Sequence, residues 1–310
     1  MNKKLSAAID IGGTNTVYGL VDEQGHIHSR GSLPTTDSPD AEGLVKAVCL
    51  KIKDLLYRLG PEADLIGAGI GAPNGNYFSG CIEFAPNLNW KGIVPLSKYF
   101  EENLGVKALL TNDANAAALG EMLFGAAKGL KDFLFVTLGT GLGSGIVVNG
   151  ELVYGHDGMA GELGHVILIP EGRPCGCGRK GCVETYCSAT GIRTTYAELT
   201  GTSPDTKIEA KYIYEKARSG DKQAMESFTL TGEWLGLALA NSVAYTSPST
   251  IFLFGGLTMA GEMLFAPTKK SFENNLLRVY QKKIKILPSS LIEGDAALLG
   301  SASLIWKTIK

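Results

Sequence analysis

Residues 8–16 read AIDIGGTNT, and residues 137–145 read TLGTGLGSG. Both stretches close a short apolar strand and then turn through neighbouring glycines. Because glycine has no Cβ, backbone N–H groups in such a turn can approach an anion closely. One glycine turn is weak evidence for a phosphate site, since such motifs often occur by chance. Two similar corners in one chain favour a pair of phosphate-binding turns over two ordinary tight turns.

The chain repeats its plan around these corners: strand, glycine turn, strand, polar turn and strand. Placing Gly12 on Gly139 gives an offset of 127 residues. A third strand ends in a glycine corner at Gly255 and Gly256. The duplicated pattern predicts two related α/β lobes. Because no low-complexity linker separates the lobes, we expect them to pack around a cleft.

Hydrophobic periodicity places helices and strands along the chain. Helices are predicted over residues 40–59, 114–127 and 294–309. Ser38 and Pro39 suit the start of the first helix, and Asp295 suits the start of the last one. Strands are predicted at residues 7–11, 15–20, 65–71, 106–110, 133–138 and 251–254. This alternation of strands and helices indicates the α/β class.

Composition excludes several classes of protein. The 310 residues carry 29 basic and 31 acidic side chains, and the net charge of −2 disfavours a nucleic-acid or membrane binder. Hydrophobic residues make up 45% of the chain, which excludes wholesale disorder. The N-terminal apolar stretch is short and contains Asp10, so it predicts neither a signal peptide nor a membrane span. We therefore expect a cytoplasmic protein.

A cysteine-rich loop predicts a metal site. Cys175, Cys177 and Cys182 crowd together shortly after His165. One imidazole and three thiolates form a saturated tetrahedral set for Zn²⁺, and such a site is structural because no position is left for a reactive water. The alternative is three unrelated thiols in a loop, and Cys187 is the spare ligand if one of the others is misassigned.

Two carboxylates flank these ligands. Glu162 precedes His165 by three residues, and Glu184 follows Cys182 by two. A metal ion would bring both carboxylates and the histidine into one small volume, which suits charge-assisted hydrogen bonds to a polyhydroxyl ligand. Without that site, both glutamates would be ordinary solvated surface charges.

Acidic residues also follow two predicted strands. Asp10 ends the first strand beside a glycine corner, where a carboxylate either acts through Mg²⁺ or caps the turn. Asn112 and Asp113 open the alanine-rich segment NDANAAALGE. Asp113 is either a helix N-cap or the acceptor of a proton from a substrate hydroxyl, with Asn112 bonding a neighbouring hydroxyl. The local sequence leaves both interpretations open.

Together these motifs resemble the ROK family of sugar kinases and repressors, within the actin/hexokinase/Hsp70 superfamily. The resemblance runs from DIGGT at residues 10–14 to GDAALLGSA at residues 294–302. Its most specific part is GELGH at residues 161–165, followed by CGCGRKGCVE at residues 175–184. It implies two actin-like, ribonuclease H-like lobes that flank a cleft for ATP and sugar. It also implies ATP-dependent phosphoryl transfer to a hexose hydroxyl.

The resemblance implies roles for individual residues as well. Asp113 is the implied general base, and ATP, Mg²⁺ and a structural Zn²⁺ are the implied ligands. His165 would bind the metal through one ring nitrogen and face the sugar with the other. Sugar contacts are implied for Asn87, Asn112, Asp113, Glu162, His165 and Glu184. ATP contacts are implied for Asp10, Gly12, Gly13, Thr14, Gly139, Thr140, Gly141, Gly255 and Gly256.

Lobe boundaries and assembly are expectations of the same kind. Residues 1–112 together with residues 295–310 are expected to form the smaller lobe. Residues 113–294 are expected to form the larger lobe, which carries the zinc loop. A homodimer is expected from the resemblance and because two-fold assemblies are frequent.

The preferred sugar is left open between two groups. The leading expectation is glucose, converted to glucose 6-phosphate, and the alternative is N-acetylmannosamine or another N-acetylhexosamine. Asn74 stands where many family members carry glycine, in a loop that borders the sugar in the family. A sugar-responsive repressor is disfavoured because the corner at residue 10 leaves no room for a preceding DNA-binding domain. A non-catalytic sugar sensor is disfavoured because Asp113 is retained.

Overall fold

The computed structural model describes residues 3–203 and 208–309. The strands in this part of the chain are β1 (Lys3–Ile11), β2 (Asn15–Val21), β3 (Ile27–Pro34), β4 (Ala63–Gly71), β5 (Ile82–Glu83), β6 (Ile93–Val94), β7 (Ala108–Thr111), β8 (Phe133–Leu138), β9 (Leu142–Val148), β10 (Glu151–Leu152), β11 (Thr250–Phe254) and β12 (Lys285–Pro288). The α-helices are α1 (Ala41–Leu59), α2 (Leu96–Leu104), α3 (Asp113–Phe124), α4 (Glu184–Cys187), α5 (Ala189–Thr200), α6 (Ala210–Arg218), α7 (Lys222–Thr246), α8 (Glu262–Asn275) and α9 (Glu293–Ile309).

Two five-stranded sheets share one topology. The first has the order β3-β2-β1-β4-β7, and the second has the order β10-β9-β8-β11-β12. In the first sheet, antiparallel β1 and β2 are extended by the parallel strands β4 and β7. In the second sheet, antiparallel β8 and β9 are extended by the parallel strands β11 and β12. The predicted α/β class and the two related, actin-like lobes are confirmed.

The repeat follows the 127-residue offset predicted from the glycine corners. β1 ends at Ile11 and β8 at Leu138, while β2 begins at Asn15 and β9 at Leu142. The turns nevertheless differ by one residue, because Ile11 pairs with Thr16 whereas Leu138 pairs directly with Leu142. The second corner is therefore the tighter of the two.

Contacts divide the chain into two compact units. The first contains residues 1–130, 152–160 and 290–310, and the second contains residues 131–151 and 161–289. This division differs from the boundary expected after residue 112. The difference arises mainly because α3 and residues 152–160 belong to the first unit.

Helix α3 joins the first unit because it packs closely on α9. Gly120 of α3 and Gly300 of α9 lie where the two backbones approach each other. A Cβ on Gly300 would lie 2.7 Å from the carbonyl oxygen of Ala116, so the contact has no space for a side chain. The helix that begins with Asp113 is thereby fixed to the C-terminal helix of its own unit.

Glycine 300 therefore offers a test of this packing. Gly300→Ala is expected to lower the free energy of unfolding by about 1–3 kcal/mol, because the new Cβ would press on the backbone of α3. Gly294→Ala in the same helix is the matched control, since nothing lies within 4 Å of its Cβ position. Urea unfolding followed by circular dichroism measures both variants. Equal stabilities would show that the contact between α3 and α9 accommodates a Cβ at residue 300 at no cost.

The first sheet is covered on both faces. Successive side chains of a strand point to opposite faces, and in β1 Ile9 packs with α1 while Ala8 packs with α9. On the α9 side Leu298 and Trp306 are buried, and the indole N–H of Trp306 donates to the carbonyl oxygen of Val21 at 3.3 Å. Helix α9 thus completes the core of the first unit.

Two helix starts differ from the predictions. Asp40, rather than the Ser-Pro pair before it, caps α1, and its carboxylate accepts the Gly43 N–H at 2.7 Å. Helix α9 begins at Glu293, so Asp295 lies inside its first turn. The Asp295 carboxylate binds Arg30 at 2.6 Å instead of capping the helix. Asp40 accepts an N–H group of the first turn of its own helix, whereas Asp295 pairs with Arg30 of β3, which is distant in the sequence.

The second sheet has its own core. Leu134 and Val136 of β8 are buried with Leu235 and Leu239 of α7 and with Phe265 of α8.

Among residues 3–203 and 208–309, no helix combines the length and apolarity needed to cross a membrane.

Candidate functional site

Parallel strands carry the acidic residues of the first unit to one edge of its sheet. Asp10 is the last residue but one of β1, Gly71 ends the neighbouring β4, and β7 runs into Asn112 and Asp113. Gly71 leaves space for the Asp10 carboxylate, whose Oδ1 lies 3.3 Å from the position that a Cβ would take. The structure therefore places both predicted aspartates at the same edge.

Asn112, and not Asp113, is the N-cap of α3. Its Oδ1 accepts the N–H groups of Ala114 at 2.8 Å and Asn115 at 3.3 Å. Asp113 is the first residue of the helix, and its Oδ1 accepts the Ala114 N–H at 2.8 Å. The helix start therefore does not depend on Asp113 as its cap, and the Asp113 side chain is exposed to solvent.

The pKa values of both aspartates are raised. Solvent reaches Asp113, but the protein around it hinders hydration of the carboxylate, and this effect exceeds the lowering of its pKa by backbone N–H groups. Burial, and to a smaller extent the charge of Asp113, raises the pKa of Asp10 to about 7. Neighbouring carboxylates with raised pKa values are typical of sites that handle protons or divalent cations.

Thr35 holds the first glycine corner. Its hydroxyl donates to the Gly12 carbonyl oxygen at 2.8 Å, and its N–H donates to the Thr14 carbonyl oxygen at 2.8 Å. Gly13 faces the loop of Asn87, whose carbonyl oxygen would lie 2.7 Å from a Cβ on Gly13. The structure thus brings the first corner and Asn87 together. Thr35 is a supporting residue that belongs to no sequence motif.

The other two glycine corners meet at the edge of the second sheet. β8 runs into Gly139, and the parallel strand β11 runs into Gly255. Gly255 has a φ of 105°, and a Cβ there would lie 2.7 Å from the Leu138 carbonyl oxygen, so only glycine fits. Gly256 follows as the first residue of a 3-10 segment, Gly256–Ala260.

Residues Gly139, Thr140 and Gly141 form the turn between β8 and β9. The Gly139 N–H donates to the Gly141 carbonyl oxygen at 3.1 Å, and Thr140 is exposed at the tip. The turn therefore presents its backbone at the surface of the second unit.

The four predicted metal ligands converge in the second unit. One donor atom from each of His165, Cys175, Cys177 and Cys182 lies within 4.8 Å of the other three. The sulfurs of Cys177 and Cys182 are 3.7 Å apart, and the Cys175 sulfur lies 3.7 Å from His165 Nδ1. Tetrahedral zinc with Zn–S bonds of about 2.3 Å separates two sulfurs by about 3.8 Å. The donor set therefore fits zinc in both identity and spacing.

The thiols of this loop differ in their environment. A hydrogen bond from Arg179 lowers the pKa of Cys177 to about 6, whereas burial raises the pKa of Cys182 to about 12. Cys187, the spare ligand of the sequence analysis, is not part of the cluster. Its buried sulfur lies 3.9 Å from the Thr231 carbonyl oxygen. The four metal ligands predicted from the sequence, three cysteines and one histidine, are therefore the four that the structure brings together.

Arg173 joins the metal loop to helices α4 and α5. Its guanidinium donates to the Thr185 carbonyl oxygen at 2.8 Å, pairs with Glu198 and lies 4.5 Å above the Tyr186 ring. The arginine side chain is only 11% exposed. Its position two residues before the first cysteine was the only sequence signal for this role.

The sugar-contact candidates of the second unit surround the metal cluster. His165 turns Nδ1 toward the cysteines, and its Nε2 lies 4.0 Å from Glu162 Oε2. Oε1 of Glu184 lies 4.0 Å from the Cys175 sulfur. Both carboxylates therefore lie beside the cluster, as the metal hypothesis predicted. The other three candidates, Asn87, Asn112 and Asp113, belong to the first unit.

Asn74 uses its side chain to hold its own loop. Its φ is 52°, in the left-handed region that glycine favours and asparagine tolerates. Its Nδ2 donates to the Glu83 carbonyl oxygen at 2.9 Å. Asparagine at this position is therefore compatible with the local backbone geometry, and its side chain secures the loop.

Known proteins share this arrangement of motifs. The sequence profile of the ROK family matches residues 6–308. The chain belongs to the ROK family. A glucokinase of Streptomyces coelicolor is 35% identical to this ROK chain over 314 residues, which cover 97% of each. An N-acetylmannosamine kinase of Escherichia coli is 31% identical over 310 residues, which cover 96% of this chain and 97% of the relative.

A solved ROK structure shows the same fold. The crystal structure of a ROK family glucokinase from Streptomyces griseus, in complex with glucose and AMPPNP, is similar over 97% of this chain and 98% of that protein. The two are 36% identical, and the TM-score is 0.80. The ROK fold is therefore shared along nearly the whole chain.

Proposed function

We propose that this ROK protein transfers the γ-phosphoryl group of ATP to the 6-hydroxyl of glucose, giving glucose 6-phosphate and ADP. The observation that carries the proposal is the position of Asp113. This carboxylate opens α3, is not needed as the helix cap, and lies at one sheet edge with Asp10. Full-length similarity to glucokinases supports glucose as the acceptor.

Asp113 acts as the general base. It takes the proton of the 6-hydroxyl as the sugar oxygen attacks the γ-phosphorus, while the bond to the β–γ bridging oxygen breaks and ADP leaves. The raised pKa of Asp113 suits a group that must accept a proton near neutral pH. The Asn112 oxygen already accepts two helix N–H groups, so this residue offers its Nδ2 to a sugar hydroxyl.

The glycine corners bind ATP through backbone N–H groups. Asp10 is assigned to Mg²⁺, either directly or through water, and magnesium neutralises phosphate charge when it is bound. The fit rests on the setting of Asp10, where burial, and to a smaller extent the charge of Asp113, raises its pKa to about 7, because a nearby divalent cation would favour the charged carboxylate.

Zinc is assigned to the cluster of His165 and the three cysteines as a structural ion. With four protein ligands it has no position for a reacting water. Its role is to hold Glu162, His165 and Glu184 where they can bond sugar hydroxyls. A homodimer, on the family resemblance, and a cytoplasmic location complete the proposal.

The test is ATP-dependent ADP release with glucose, N-acetylmannosamine, N-acetylglucosamine, mannose and fructose. Glucose is expected to give the highest kcat/KM. The similarity to an N-acetylmannosamine kinase makes that sugar the second candidate. A clear preference for an N-acetylated sugar would replace glucose in the proposal, and no ADP release with any of these sugars would contradict it.

A further inference from the structure

The Glu184 carboxylate touches two parts of the second unit at once. Its Oε1 lies 4.0 Å from the Cys175 sulfur, beside the metal cluster. Its Oε2 accepts the N–H of Leu142 at 2.9 Å, in the turn between β8 and β9. Gly141 leaves the space for this contact, because a Cβ there would overlap Oε2 of Glu184.

The same stretch of chain holds the turn on its other side. The Ala189 N–H donates to the Gly139 carbonyl oxygen at 2.8 Å, and the Thr190 hydroxyl donates to the Thr140 carbonyl oxygen at 2.9 Å. All three contacts come from residues 184–190, which begin two residues after Cys182. The metal loop, α4 and the glycine corner are therefore one continuous structural block.

The hydrogen bond from the Leu142 N–H to Glu184 lies in a buried setting, so its loss is energetically unfavourable. Leu142 is 6% exposed, so its N–H cannot readily turn to water when its acceptor is removed. Its carbonyl side is equally confined, because a Cβ on Gly164 of the GELGH segment would overlap the Leu142 oxygen. The Glu184 carboxylate is thus the acceptor of a confined N–H group next to the glycine corner.

We propose that Glu184 is a positioning residue for the nucleotide-binding corner, in addition to its assignment as a sugar contact. One carboxylate oxygen accepts the Leu142 N–H, and the other, 4.0 Å from the Cys175 sulfur, is assigned to the sugar. Both substrates therefore depend on the placement of one side chain. The inference rests on the proposed function, because it takes residues 139–141 as part of the ATP site.

Charge and hydrogen bonding act in opposite directions at this site. A carboxylate near bound phosphates repels them, so removing its charge favours nucleotide binding. Removing the acceptor loosens the corner and disfavours nucleotide binding. Glu184→Gln and Glu184→Ala both remove the charge, but only glutamine keeps an acceptor. Comparing these two variants isolates the hydrogen bond.

The experiment measures AMPPNP·Mg²⁺ binding by titration calorimetry in the absence of sugar. Glu184→Ala is expected to bind about five-fold more weakly than Glu184→Gln, as for the loss of one hydrogen bond. The matched pair Glu171→Gln and Glu171→Ala should show no such difference, because Glu171 is an exposed carboxylate of the metal loop that pairs with Lys180. Zinc content of each variant confirms that the metal loop is intact.

A third variant, Glu184→Asp, keeps the proposal testable if Glu184→Ala does not fold. Glu184→Asp keeps the charge but withdraws the carboxylate by one methylene, so it is also expected to bind AMPPNP more weakly than the unmodified protein. Amide hydrogen exchange in the peptide around residues 138–143 should be faster in Glu184→Asp and Glu184→Ala than in Glu184→Gln. This readout reports on the corner itself.

The outcomes separate the two proposals. If the unmodified protein binds AMPPNP and all Glu184 variants bind it equally well, the positioning role is overturned and the proposed kinase function stands. If the unmodified protein does not bind AMPPNP, the ATP site is wrong and the positioning role is overturned with it.

Discussion

Asp113→Asn is expected to lower kcat for glucose phosphorylation by about 10²–10⁴-fold, the usual loss when a general base is removed. Asparagine has nearly the same shape but cannot take the hydroxyl proton. Glucose affinity should change little, because α3 keeps its cap at Asn112 and its packing on α9. Steady-state kinetics with calorimetric titration of glucose separates the two effects.

The pH dependence gives an independent check on Asp113. Its pKa is raised, so the carboxylate becomes protonated, and inactive as a base, at a pH above the ordinary aspartate range. The kcat of the unmodified protein, measured with saturating ATP and Mg²⁺ so that Asp10 stays charged, should therefore fall as the pH is lowered through the raised pKa of Asp113, and this limb should be missing in Asp113→Asn. Asp64→Asn, an exposed change in β4, is the control and should leave the profile unaltered. Normal turnover in Asp113→Asn would refute the assignment.

Cys177→Ser is expected to remove most of the bound zinc and to lower Tm by about 5–10 °C. Cys177 is exposed, so replacing its sulfur by oxygen disturbs little packing, and the effect reports mainly on metal binding. Glucose KM should rise at the same time, because Glu162, His165 and Glu184 lose their common support. Elemental analysis, thermal unfolding and kinetics measure the three effects.

Cys81→Ser is the matched control for the metal site. Cys81 is a partly exposed thiol outside the cluster, so its variant should retain zinc, Tm and glucose KM. The zinc assignment fails if the unmodified protein, purified with zinc present, contains none. It also fails if both serine variants behave alike.

The duplicated fold could be predicted because its signal is local. Apolar strands that end in glycine corners recur at a fixed offset, and the strand ends follow that offset along the chain. The metal cluster was predictable for a similar reason, since Cys175, Cys177 and Cys182 are close in sequence. Only His165 had to be brought in from outside the loop.

Contacts between distant segments could not be predicted. Thr35 and Arg173 are ordinary residue types outside any motif, and their roles appear only when the chain folds back on Gly12 and Thr185. The placement of α3 in the first unit likewise depends on a backbone contact between glycines 180 residues apart. Periodicity describes the exposed and buried faces of one element, but it does not identify the element that covers the buried face.

The first unit is built from three separate stretches of the chain, and this affects when its core can be completed during synthesis. During synthesis β1 and β2 emerge first, but the side of β1 that Trp306 and Leu298 cover stays open until α9 has been added. The second unit is complete by residue 289, before that helix exists. Strands β1 and β2 are therefore made long before α9, which covers one face of β1. Until α9 is made, that apolar face is exposed, as in aggregation-prone nascent chains. A ribosome that stalls before residue 290 would release a chain with a finished second unit and an unfinished first one, which makes such a chain a natural client for chaperones.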